Sequence, residues 1–113
     1  MPSAEELTRK KCVPCEGGAE PLSAGEVAGY LSTLPEWGLV EGQQMIRRKW
    51  KFKDFVAALA FVNKIGDVAE AEQHHPDLHL TGWNRVSVEI TTHAIGGLSE
   101  NDFILAAKID QLT

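Results

Sequence analysis

The chain has 113 residues, 11 basic and 16 acidic, for a formal net charge of −5; 43% of it is apolar and 24% charged. That length sets one domain as the expectation, since domains run about 100–200 residues. The acidic balance argues against a nucleic-acid-coating surface, the composition argues against a disordered chain, and no apolar run reaches the roughly 18 residues of a membrane span.

Residues 1–20 read as a polar N-terminal arm and residues 21–113 as the domain. The N-terminus lacks the apolar core of a secretory signal and carries Glu5 and Glu6 early, so a cytoplasmic setting is expected. Cys12 and Cys15 form one CxxC. Two cysteines make no disulfide framework. A redox pair belongs at a strand–helix junction, and zinc needs two further ligands. The plain reading is a reduced pair in a turn-rich arm broken by Pro14, Gly17 and Gly18.

Ser23-x-x-Glu26 is a capping box opening a helix that carries Val27, Tyr30, Leu31 and Leu34 and ends at Pro35. Trp37 to Val40 read as a short strand, Glu41-Gly42 as a turn, and 43–52 as the partner strand. There Ile46, Trp50 and Phe52 share one face, and Arg47, Lys49 and Lys51 share a solvated one. Asp54 caps a helix over 54–72 with Phe55, Leu59, Val62, Ile65 and Ala69 in one stripe. Phe61 and Val68 widen that apolar surface beyond what one core needs, which suits a partner subunit, while Gly66 costs roughly 1 kcal/mol.

Pro76 breaks the chain after His74-His75. Residues 77–80 read as a strand, Thr81-Gly82 as a turn, and 83–92 as a strand with Val86, Val88 and Ile90 inward. Gly96-Gly97 makes a loop, and Ser99-x-x-Asp102 opens a final helix. The order α-β-β-α-β-β-α predicts an α+β fold, an antiparallel sheet with helices packed on one face.

All four histidines, His74, His75, His79 and His93, lie within 20 residues, with Glu70, Glu72, Asp77, Glu89 and Asp102 in or near that window. Three readings stay open. Imidazole suits acid–base work near neutral pH, with Glu70 or Asp102 orienting a ring. Histidine and carboxylate also bind metal, although no His-x-x-x-His or His-Glu-x-x-His stands on a helix. Surface histidines near a helix end are favourable on electrostatic grounds alone. Glu70 and Glu72 equally read as solvated residues of a last helical turn, and Asp102 as a capping acid. No phosphate-cradling glycine loop and no nucleophile elbow occur.

The run Glu70-Ala71-Glu72-Gln73-His74-His75-Pro76-Asp77, then Trp83-Asn84, Thr92-His93 and Gly97-Leu98-Ser99-Glu100-Asn101-Asp102, resembles the pterin-4a-carbinolamine dehydratases, also called 4a-hydroxytetrahydrobiopterin dehydratases. The likeness extends more loosely over about residues 20–112. It implies a four-stranded antiparallel sheet with helices on one side, and a homodimer or homotetramer. It implies loss of water from 4a-hydroxytetrahydropterin to give quinonoid dihydropterin in pterin recycling, with no metal and no cofactor. By residue matching, His74, His75 and His93 take the catalytic positions. His74 and His93 are expected to move protons, and His75 to bind and orient the pterin. Glu70, Gln73, Thr91, Thr92, Ala94 and Asp102 match substrate-binding positions. The chain departs from the family pattern by one extra residue in the Leu80–Trp83 turn, and by Gln73 where many members carry an acid. His79 matches no catalytic position and reads as a strand or rim residue. The alternative is a non-catalytic pterin-binding or protein-interaction role. Neither nucleic acid nor membrane is an expected partner.

Overall fold

The computed structural model describes residues 2–13, 20–40 and 44–113. Cys15, the breakers Pro14, Gly17 and Gly18, and the Glu41-Gly42 turn lie outside those residues. Helix starts follow the caps written in the sequence. Ser3 with Glu6, and Ser23 with Glu26, form capping boxes at α1 (Ala4–Arg9) and α2 (Ala24–Ser32). Asp54 accepts the Ala57 N–H at 2.7 Å and opens α3 (Phe55–Glu72), and Ser99 precedes α4 (Glu100–Asp110). Four strands, β1 (Gly38–Leu39), β2 (Ile46–Lys51), β3 (Asp77–Thr81) and β4 (Arg85–Ile90), pair antiparallel in the order β1-β2-β4-β3.

Alternation decides which face of the sheet is covered. Val86, Val88 and Ile90 of β4 are buried, and Ile46 stands opposite Ile90. Against them pack Ala58, Phe61 and Ile65 of α3 and the nearly all-buried α4, including Phe103, Leu105 and Ile109. Each Val, Leu, Ile or Phe among them contributes about 1.5–3 kcal/mol by leaving water. Trp50 lies on this side, its ring 4.9 Å from Phe61 and 5.9 Å from Trp37. Arg48 is in phase with these apolar residues. It is accommodated by an ion pair to Asp110 at 2.6 Å and by lying over the Trp50 ring at 4.6 Å.

The fold departs from the expected order by two additions. A six-residue helix stands inside residues 1–20, and one turn of 3-10 helix follows β4 at His93–Ile95. Residues 2–13 do not form an irregular arm. α1 packs on α4 with Leu7 fully buried, and Asn101 pairs with Val13 in both directions, Val13 N–H to Oδ1 at 3.0 Å and Nδ2–H to the Val13 carbonyl. The last hairpin is shorter than alternation suggests, because Gly82 (φ 55°) and Trp83 (φ 63°) are both left-handed. Asn84 then ties the turn to β2, donating to the Phe52 carbonyl at 3.0 Å and accepting the Phe52 N–H at 2.8 Å.

Candidate active site

The C-terminal turn of α3 sets the first histidine. Gln73 adopts a left-handed conformation (φ 55°, ψ 37°), its N–H bonds the Glu70 carbonyl, and the His74 N–H reaches back to Ala69 at 3.2 Å. These two bonds are the Schellman closure of a helix, and they swing the chain off the helix axis at His74. His74 thereby turns toward the first turn of α4. Its Nε2 lies 2.6 Å from Asp102 Oδ1, with the Asp102 side chain fully buried and that of His74 13% exposed.

Asp102 is held from three directions. Oδ1 faces His74, while Oδ2 accepts the Thr92 hydroxyl at 2.8 Å and the Ser99 N–H at 2.8 Å. The single Thr92 O–H is committed to Asp102, so in the 2.9 Å contact between the two hydroxyls Ser99 donates to Thr92. A carboxylate only accepts, so His74 Nε2 is the donor, a tautomer assigned from this network. The neutral ring then carries its lone pair on Nδ1, away from Asp102. Asp102 is thus both the capping acid and the ring-orienting acid, two roles that the sequence allowed together.

A second pair sits beside the first, with His75 Nε2 2.8 Å from Glu70 Oε1, both side chains exposed. The third histidine opens the turn His93–Ile95, closed by the Thr92–Gly97 bridge and by Gly96 in the left-handed region (φ 67°). Gly97 has no substitute there, because an added Cβ would lie 2.6 Å from Pro21 Cβ. His93 is exposed, and its ring has no hydrogen-bond partner among the described residues. Its link to the site is through the chain, since the preceding residue, Thr92, binds the same carboxylate as His74.

Direct contacts therefore join His74, Thr92 and Asp102, and separately His75 and Glu70. Gln73 supplies the turn, its side chain donating to the Glu70 carbonyl at 2.8 Å. Thr91 Oγ1 donates to the Gln44 carbonyl, and Ala94 is exposed in the 3-10 turn. His79 points to the other side of the sheet, 2.9 Å from Glu89.

Sequence reasoning missed the brace behind this site. Glu72 is buried at 8% exposure, accepts the Cys12 N–H at 2.8 Å, and pairs with Lys108 Nζ at 2.7 Å. Burial pushes its carboxyl up, but Lys108 and the Cys12 N–H together outweigh that and hold it below the ordinary carboxylate range. Cys12 is buried too, its thiol donating to the Asn101 carbonyl at 3.5 Å. Burial and the neighbouring Glu72 push that thiol up to about 12, so the free thiol keeps its proton at neutral pH. Nothing local distinguishes Glu72 from a solvated helix-end acid; only Ser-x-x-Asp, for Ser99, was readable. Among the described residues no three His, Cys, Asp or Glu side chains are grouped to hold a metal ion.

Comparison with known proteins gives the family. The pattern of the family described as pterin 4 alpha carbinolamine dehydratase matches residues 20–112. The chain belongs to that family. A protein of Halorhodospira halophila that carries the family's name is 52% identical over 106 residues, 94% of this chain and 96% of the relative. The mitochondrial pterin-4-alpha-carbinolamine dehydratase 2 of Arabidopsis thaliana is 46% identical over 113 residues, covering 97% of this chain and 60% of that one. The crystal structure of a transcriptional coactivator/pterin dehydratase from Brucella melitensis superposes with a TM-score of 0.77 at 34% identity, over 82% of this chain and 98% of the other. The family is named for a hydro-lyase. No helix among the described residues is long and apolar enough to cross a membrane.

Proposed function

We propose that the chain is a dehydratase that removes water from 4a-hydroxytetrahydropterin to give quinonoid dihydropterin, recycling a pterin cofactor. The elimination breaks the C4a–O bond and forms a C4a–N5 double bond. A base takes the N5 proton, the N5 electron pair forms the new bond, and an acid protonates the departing hydroxyl, so one water leaves and no electrons are exchanged. The observation that carries this reading is the buried Asp102 that holds His74 through Nε2 and so leaves the ring lone pair on Nδ1. In this reading His74 and His93 handle the two protons, each such transfer contributing typically 10²–10⁴-fold. His75, with Glu70, binds and orients the pterin, and Gln73, Thr91, Thr92 and Ala94 border it. A homo-oligomer built on the exposed face of α3 and a cytoplasmic setting belong to the same proposal.

The test is turnover of freshly generated 4a-hydroxytetrahydropterin, with chelator present, by wild type, His74→Ala and Asp102→Asn. Asp102→Asn places an amide N–H where the His74 N–H now points and favours the wrong tautomer. Both variants are expected to lose kcat by at least about tenfold, with circular dichroism unchanged. Wild-type turnover no faster than the uncatalysed reaction would move the chain to a binding role. Full activity in His74→Ala would remove His74 from proton transfer.

A further inference from the structure

A hollow lies away from His74, His75 and His93. It lies on the helix-free face of the sheet, holds about 640 Å³, and is lined chiefly by Arg47, Lys49, Lys51, Arg85, His79 and Ser87. Four of the chain's eleven basic residues therefore share one face of a protein whose net charge is −5. The sheet register sorts them. Arg47 stands opposite Glu89 and is ion-paired to it, and His79 shares the same carboxylate. Lys51 stands directly opposite Arg85, and Lys49 opposite Ser87. None of these last three cations has a carboxylate partner among the described residues.

Like charges directly opposite in an antiparallel pair destabilise it. A chain that keeps such a pair in a hollow, beside a third unanswered cation, breaks a local rule without any compensation inside the fold, which is the mark of a functional surface. We propose that this face docks an extended, carboxylate-rich segment of a partner protein. Lys49 and Lys51 are two residues apart on one side of β2, the period at which an extended segment presents its own alternate side chains. Carboxylates at alternate positions of such a segment fall in step with them, and the Arg85 guanidinium can take one in a two-pronged bond. A nucleic acid fits less well. Trp50 borders the hollow, but its ring packs against Phe61 on the core side. Asp77 and Glu89, opposite each other in the register, interrupt the positive track at one end. Three cations also neutralise too few phosphates to overcome a negative chain.

The probe is a fluorescein-labelled hexaglutamate peptide titrated with the full chain, read by fluorescence anisotropy at about 50 mM ionic strength, where surface charge is weakly screened. Saturable binding is expected, weakening with added salt and falling at least about tenfold in Lys51→Glu/Arg85→Glu, whose fold is checked by circular dichroism. A thymidine oligonucleotide of equal charge is expected to bind more weakly. Tighter or equal binding of the oligonucleotide, undiminished peptide binding by the variant, or no binding of the peptide overturns the proposal. A second measurement is independent of any ligand. Lys51→Thr removes the opposed like charges and is expected to raise Tm by about 1–5 °C. A lower or unchanged Tm would mean that the pair costs the fold nothing, and the argument from it would fail.

Discussion

The Cys12 thiol ionises near 9.0 in an ordinary setting but only near about 12 in the folded chain, because burial and the Glu72 carboxylate both oppose a thiolate. Tyr30, buried and donating to Glu100 at 2.6 Å, is likewise pushed up to about 12 from 10.0. Each group holds its proton more tightly folded than unfolded. Its stabilising contribution is complete below the unfolded pKa and is lost as pH climbs from there through the folded value. Thermal melts should therefore show Tm falling from about pH 9 upward. Cys12→Ala should soften that fall, and an identical alkaline slope in the variant would relocate the effect. Glu72 has the opposite sign: its carboxyl is held low in the folded chain, so its contribution is present above the ordinary 4.5 and drains away as pH falls. None of this was legible in the sequence, because the partners of Cys12 and Glu72 lie 36 to 89 positions away. Asp102 was half legible. Ser99-x-x-Asp102 announced a cap, whereas the bond to His74 spans 28 positions and needs the fold.

Among the elements, α3 and β4 could be read because each is long enough to repeat its period, and the order of the main elements followed. α1 could not be read from periodicity, since six residues hardly exceed one helical turn and a half. Its Ser3-x-x-Glu6 box was nonetheless present as a local signal. The tight turn with Trp83 left-handed at φ 63° has no signal in a residue type that avoids that region. Gln73 is a similar case and allows a test. A non-glycine side chain in the left-handed region costs about 1–2 kcal/mol, partly offset here by the Gln73 bond to the Glu70 carbonyl. Gln73→Gly, after allowing for the extra entropy of glycine, should stabilise the chain by about 0.5 kcal/mol in denaturant unfolding. A clear loss of stability would show that the side-chain bond, not the backbone, closes this helix.

On the scale of the whole molecule, the chain covers one side of its sheet and leaves apolar surface on its longest helix. Phe55 is 49% exposed, Val56 74% and Leu59 42%, all within the first two turns of α3. Burying such a patch between copies adds apolar burial that a chain of this size has in short supply. Val56→Glu/Leu59→Glu should therefore lower the mass seen by light scattering to the 12.4 kDa of one chain. An unchanged oligomer would place the contact elsewhere. The surplus of Phe61 and Val68 suggested a partner face from sequence; Phe61 is in fact buried in the chain's own core, and the exposed apolar residues are others on the same helix.

Asp102 starts a helix and orients a histidine with one carboxylate, its two oxygens divided between the tasks. A genetic screen that selected only for a folded, soluble product would still discard most replacements at this position, because Ser99 and Thr92 would lose their acceptor. Survival of the aspartate in a drifting lineage is therefore no signature of retained turnover. Loss of His74 with Asp102 kept is the pattern that a descendant released from its chemistry would leave behind.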